Sequence, residues 1–256
     1  MKKLFGIIAA GVLFAGCGKV EHYSNDYGSA IFLNAVPFTP PAAGSVAVSM
    51  RVYEQDTIPR SASNIAYRGT SGYLAFAPGT RSVDMRSSFD FTTKFVEARD
   101  QVFEFNKAST FVAYDTVNDA SGRAKMVRLN DTLTVPDNNF VKLRFLHLAV
   151  NAPAVDVTLV RTSATPNDSI TFFNRSYIGD PTADDVLSLS TFTTIPLGTY
   201  SVRMKAAGTQ TLVFPATTLT TANLAGTAAM KGICTLFAAG TAKTLPLSLG
   251  ILRHYP

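Results

Sequence analysis

Apolar and polar positions alternate along the clearest segments of this chain. Over residues 46–53, Val46, Val48, Met50 and Val52 fall on one face of an extended backbone; Val155, Val157 and Leu159 alternate in the same way with Asp156, Thr158 and Val160. A period of two marks a strand with one buried face. Elsewhere, short runs rich in Val, Ile, Thr, Phe and Tyr are broken by turn residues about every eight to twelve positions, the rhythm of an all-β sandwich. Residues 220–231, rich in Ala, predict a short helix that Gly226 weakens.

The pattern occurs twice. GTRSVDMR at 79–86 returns as GTYSVRMK at 198–205, identical at five of eight positions. Before it, IFLNA at 31–35 lines up with RFLHL at 144–148, and after it TFVA at 110–113 lines up with TLFA at 235–238. Because the order of the blocks is kept, the chain reads as two copies of one β module, residues 29–136 and 140–256, joined at the turn-forming cluster 135–139. Each has the size of an immunoglobulin-like sandwich. The repeat predicts that the modules fold separately, and that Gly79 and Gly198 hold equivalent turns feeding the best-matched strand.

The amino terminus has a different character. Lys2 and Lys3 precede an apolar run over 4–14, and Ala15 and Gly16 place small residues before Cys17, the layout of a secretory signal. The run is too short to span a bilayer as a stable helix. Phe14-Ala15-Gly16-Cys17 resembles a lipobox, with Phe14 where an aliphatic residue is usual. That resemblance implies removal of residues 1–16, diacylation of the Cys17 sulfur and acylation of the new amino terminus; an ordinary secretory signal ending in a chance cysteine is the alternative. Residues 17–28 then form a polar tether to the membrane surface. The implied location is the cell envelope, lipid-anchored at the outer membrane. No acidic run follows Cys17, so the periplasmic face and the cell surface both stay open.

Composition is globular, and the formal net charge is +5. Lys and Arg are scattered and nowhere form a run that would track phosphates, so nucleic acid is not an expected partner. With Cys17 consumed by lipid, Cys234 has no intramolecular partner. Its apolar surroundings read as those of a small buried hydrophobe.

Several segments resemble the bacterial family of domain of unknown function 4397. His147 followed by Asn151-Ala152-Pro153-Ala154-Val155-Asp156-Val157 is similar to the family's opening block, with Ala149-Val150 in place of the usual Ser-Pro. Tyr73-Leu74 with Pro78-Gly79-Thr80 is similar to its middle block; the first module's own opening has drifted, with Asn34 where His147 aligns. The resemblance implies a fold of tandem modules and an extracytoplasmic setting, and carries no catalytic residues.

The fold class is thus all-β, two tandem immunoglobulin-like β-sandwich modules after a lipoprotein signal peptide. Chemistry is sparse. His22, His147 and His254 lack zinc-ligand spacing, and there is neither a phosphate loop nor a nucleophile elbow. His147 with Asp156 is either an imidazole held by a carboxylate or, on the simpler reading, a histidine fixing the loop 150–154. Asp180, Asp184 and Asp185 are too sparse for a calcium loop and read as a solvated segment, as does the acidic stretch 115–119. No catalytic residue, metal or cofactor is expected. Asp followed by Thr57, Thr116, Thr132 or Ser169 and then an apolar residue matches a bacterial O-glycosylation acceptor pattern; each instance is equally explained by an Asp closing a turn before a strand. These readings give a non-catalytic, lipid-anchored envelope protein that binds or scaffolds a glycan or another envelope protein, with a structural spacer as the alternative and a hydrolase or metal enzyme as the weaker one.

Overall fold

The computed structural model describes residues 27–37, 48–54, 57–88, 91–116, 124–162, 168–225, 232–241 and 245–254, so Cys17 with the rest of residues 1–26, and residues 117–123, lie outside the described residues. The chain is mostly β. Its first half holds β1 (Gly28–Asn34), β2 (Val48–Glu54), β3 (Thr57–Ile65), β4 (Leu74–Phe76), β5 (Gly79–Ser87), β6 (Lys94–Phe103), β7 (Ala108–Tyr114) and β8 (Lys125–Asp131). Its second half holds β9 (Phe140–His147), β10 (Val155–Arg161), β11 (Ser169–Arg175), β12 (Thr193–Pro196), β13 (Tyr200–Ala206), β14 (Leu212–Leu219), β15 (Ile233–Thr241) and β16 (Leu245–His254). Helix α1 (Ala183–Ser190) lies between β11 and β12, and α2 (Thr221–Ala225) follows β14.

The first half forms sheets β4-β1-β7-β8 and β3-β2-β5-β6; the second forms β12-β9-β15-β16 and β11-β10-β13-β14. Each strand of the second half thus takes the place of the strand eight before it. The repeated blocks share a register: Ile31 pairs with Thr110 across the parallel β1·β7 ladder, and Arg144 with Thr235 across β9·β15. This parallel pair at the centre of a sheet is absent from the antiparallel sheets of an immunoglobulin constant domain.

Three apolar clusters hold the stack together. Phe32, Met50, Val83, Met85 and Phe111 fill the first sandwich, and Leu143, Val157, Val202, Met204 and Leu236 the second. The third forms from the opposite faces of β1, β7 and β8 (Ile31, Leu33, Val112, Leu129) packed on Leu146, Leu148, Phe237 and Leu252. Sheets β4-β1-β7-β8 and β12-β9-β15-β16 therefore lie face to face in the middle of the molecule, buried on both sides, and the other two sheets form its outer layers. The halves share a core, which the separate folding expected from the repeat does not provide for.

Helix α1 starts where sequence reading placed a solvated acidic loop. Thr182 caps it, accepting from the Asp185 N–H, while the Asp185 carboxylate accepts from the Thr182 N–H, a reciprocal capping box. Val186 and Leu189 face the central cluster, and Ser190 Oγ accepts from the Asn130 N–H at 3.0 Å, covering the edge of β8. The helix expected over 220–231 is described only as α2, with Leu224 buried.

The two repeat glycines do not hold equivalent turns. Gly79 opens β5 itself with φ of +135°, a backbone conformation that a Cβ disfavours, whereas a Cβ on Gly198 would meet Arg161 Nε at 2.6 Å. Gly198 makes room for a guanidinium that donates to the Leu197 carbonyl at 2.8 Å and pairs with Asp168 at 3.0 Å. What the repeat does share is the tie that follows the glycine: Arg81 Nη2 donates to the Ala77 carbonyl and Tyr200 Oη to the Pro196 carbonyl, each four residues back, so both corners are pinned by the first inward side chain of the strand. The Tyr200 tie is of the tyrosine-corner kind.

Candidate functional site

At one end of the first half, β1 and β7 begin and β4 and β8 end. The β6–β7 turn folds back on the start of β1: Asn106 N–H donates to the Tyr27 carbonyl at 3.2 Å, and a Cβ on Gly28 would strike the Glu104 carbonyl at 2.6 Å. Only glycine lets the two segments approach this closely. Their meeting leaves an open groove of about 1090 Å³. Tyr27, half of whose surface is exposed, stands at its rim with Ala75, Ala108 and Leu133 as the other apolar contributions. Glu104 and the Asn106 and Asn130 amides offer acceptors, while Arg60, Lys107 and those same amides offer donors. The neighbouring Phe105 is 57% exposed, so two aromatic rings face solvent at this end.

Asp131 also lines the groove, yet its carboxylate is wholly buried in a ring of hydrogen bonds between the two central sheets. Arg144 Nη2 lies 2.8 Å from Asp131 Oδ1 and donates to Thr110 Oγ1 at 2.9 Å; Thr110 in turn donates to Asp131 Oδ2 at 2.7 Å. Arg144 Nε donates to Thr235 Oγ1 at 2.7 Å, and Thr235 and His254 Nε2 are 2.8 Å apart. His254 Nδ1 and Tyr73 Oη are 2.7 Å apart, and Tyr73 donates to Asp131 Oδ2 at 2.9 Å. Since Tyr73 spends its proton on Asp131, Nδ1 of His254 must donate and Nε2 accept from Thr235. The ring closes only with a neutral imidazole. Arg144 also lies over the Phe192 ring at 4.5 Å.

Burial pushes His254 down to about 4, with Asp131 opposing and Arg144 reinforcing that direction. Burial raises Tyr73, and Asp131 beside it adds to the effect. The ring occupies equivalent places of the repeat: Thr110 and Thr235 correspond, as do Ile31 and Arg144, and Asp131 and His254 close the last strand of each half. Its chemistry reads as structural: Thr110, Asp131, Arg144, Thr235 and His254 are buried, and Tyr73 is partly buried against the central cluster.

The other residues singled out by sequence are dispersed. His147 Nε2 donates to the Pro153 carbonyl at 3.0 Å and Nδ1 accepts from the Ala149 N–H at 3.3 Å, so it fixes the loop 150–154, and burial lowers its pKa. Asp156 turns elsewhere and accepts from the Asn174 and Gly208 N–H groups, which lowers its pKa. Asp180 pairs with Lys125 at 3.0 Å, Asp185 caps α1, and among the described residues no three His, Cys, Asp or Glu side chains group as metal ligands. The Cys234 thiol, pushed up to about 12 by burial, points at the Leu224 carbonyl. Thr57, Thr132 and Ser169 are exposed and Thr116 is half-buried. Sequence reasoning missed both the groove and the ring, whose members lie far apart in the chain.

These are β-sandwich halves carrying a surface groove. A profile of the family described as domain of unknown function, DUF4397, matches residues 31–158, and the chain belongs to that family. The match runs from β1 into β10, across the junction of the halves. No curated protein matches the chain. Among solved structures, a streptococcal family 41 carbohydrate-binding module that recognises α-glucan is similar over 87% of this chain and 97% of its own, at 8% identity and TM-score 0.25. A candidate adhesin from Bacteroides ovatus is similar over 90% and 95%, at 12% identity and TM-score 0.25. Superpositions this loose assign no ligand.

Proposed function

We propose that the protein is a non-catalytic binding module of the cell envelope, held to the outer membrane by lipid on Cys17, that engages a glycan through the groove beside Tyr27. The groove carries this reading: an exposed aromatic ring offers a face for the apolar side of a sugar, and the amides and charges around it supply alternating donors and acceptors for hydroxyls. A spacer would call for a uniformly polar surface, which the paired exposure of Tyr27 and Phe105 does not offer. A glycan array probed with residues 18–256 should yield a ligand whose affinity falls about tenfold or more in Tyr27→Ala, the loss of a central anchor. An array without hits, or an unchanged ligand in the variant, overturns the groove as a glycan site.

The anchor rests on the signal-like segment before Cys17. Fatty-acid labelling in cells should tag the wild type and leave Cys17→Ser unlabelled and soluble; a labelled, membrane-bound variant overturns it. The intact mass of the extracted protein also reads hexose on Thr57, Thr116, Thr132 and Ser169, which we propose as acceptors. Thr132 borders the groove, so sugar on it would compete for the same space.

A further inference from the structure

Two cations of the groove have no counterpart in the second half of the repeat. Val52 pairs with Val83 on one side and with Arg60 of β3 on the other; Leu159 pairs with the matching Val202 and with Ile170 of β11. Arg60 thus holds the place of Ile170, which packs on the second core. An apolar side chain serves that core-side position, yet Arg60 is exposed and lines the groove. Counting back from the corresponding Thr110 and Thr235, Lys107 takes the place of Gly232. Asn130 takes the place of Arg253, whose Nε is committed to the Asn223 carbonyl of α2 at 2.9 Å. The sandwich therefore folds without a cation at the Arg60 or the Lys107 position. Both residues are exposed, and neither side chain has a hydrogen-bond or ion-pair partner among the described residues.

The anions nearby are already offset. Asp131 is bound by Arg144, and Glu104 lies in the field of Arg128, whose guanidinium sits over the Phe103 ring at 5.8 Å and does not line the groove. Two exposed cations from separate elements, β3 and the β6–β7 turn, are left without a negative partner. We infer that the glycan taken by the groove is acidic, a chain of sugars carrying carboxylates; this rests on the groove being a glycan site and names the class of its ligand. The planar Arg60 guanidinium suits one carboxylate, to which it donates two parallel hydrogen bonds, and the Lys107 ammonium supplies a point charge for another. A neutral sugar leaves both charges unanswered. The floor is also longer than one sugar ring: Ala75, Ser29, Ala108 and Asp131 stand side by side in the ladders, so it crosses four strands, a width of about 14 Å at the usual strand spacing.

Calorimetric titration of residues 18–256 with oligogalacturonate and oligomannuronate, each against its methyl ester, tests it. The ester keeps the backbone and the hydroxyls and removes only the charge. At least one acid should bind about tenfold or more tighter than its ester, and added salt should narrow the difference. Arg60→Gln and Lys107→Gln should each weaken the acid about tenfold, leave the ester unchanged and melt with the wild type. Glu104→Gln, which removes a like charge, should tighten the acid alone. Acids that fail to bind, bind no better than their esters, or are indifferent to both Arg60→Gln and Lys107→Gln overturn the acidic class. Tyr27→Ala then reports on the groove separately: a neutral glycan lost in that variant keeps the groove as a glycan site, whereas binding of neither acidic nor neutral glycans overturns the groove and this inference together.

Discussion

His254 joins the two halves only as a neutral ring. Its Nε2 accepts from Thr235 and its Nδ1 donates to Tyr73; a second proton turns Nε2 into a donor facing a hydroxyl already oriented toward it, beside the Arg144 guanidinium. Asp131, 3.6 Å away, offsets part of that cost. A histidine titrates near 6.5 when unfolded and His254 near 4 when folded, so between those values the unfolded chain binds the extra proton. Stability therefore falls as pH drops through 6.5, by roughly 3 kcal/mol once pH reaches 4. Urea midpoints between pH 7.5 and 4.5 should show this decline, and His254→Gln, which can still donate and accept, should flatten it. His147, also lowered by burial, leaves a residual slope in the same direction. A variant as pH-sensitive as the wild type would place the effect elsewhere.

At the scale of elements, legibility followed how many faces a strand buries. The alternating segments found in sequence belong to β2 and β10 of the outer sheets, where one face packs on the core and the other carries polar residues that are less buried, Ser49 excepted. Strands β1, β7 and β15 carry near-continuous apolar runs, and β15 is buried at every position, because the two inner sheets cover each other. That difference in rhythm was present in the residues but becomes an interface only once the sheet order is known. Helix α1 was legible too. Thr182 and Asp185 before Val186 are a capping box, and reading the acids as a solvated segment hid it. The groove was not legible, since Tyr27, Glu104 and Asn130 come from separate strand ends, and no local spacing records that β1 and β7 start side by side.

For the whole molecule, duplication produced one body in which two sandwiches lean on each other. Each half has its own inner core, which is what the repeat shows, but each also presents an apolar outer face and part of a polar ring to the other. Ties at the margins reinforce the contact: Arg68 donates to the Leu249 carbonyl at 2.7 Å, Tyr114 to the Gly179 carbonyl at 3.1 Å, and Lys125 pairs with Asp180. In a fragment of residues 140–256, Leu146, Leu148, Phe237 and Leu252 would face water, and Arg144 would lose both Asp131 and Thr110. An unpaired guanidinium in an apolar face and an uncovered sheet both favour self-association over a stable monomer. The fragment should therefore bind a hydrophobic dye and lack a sharp thermal transition, and adding residues 27–134 in trans should restore both the transition and a one-to-one complex. A monomeric fragment melting cooperatively by itself would show that the central cluster is an accessory contact, and that the ring joins two independent domains.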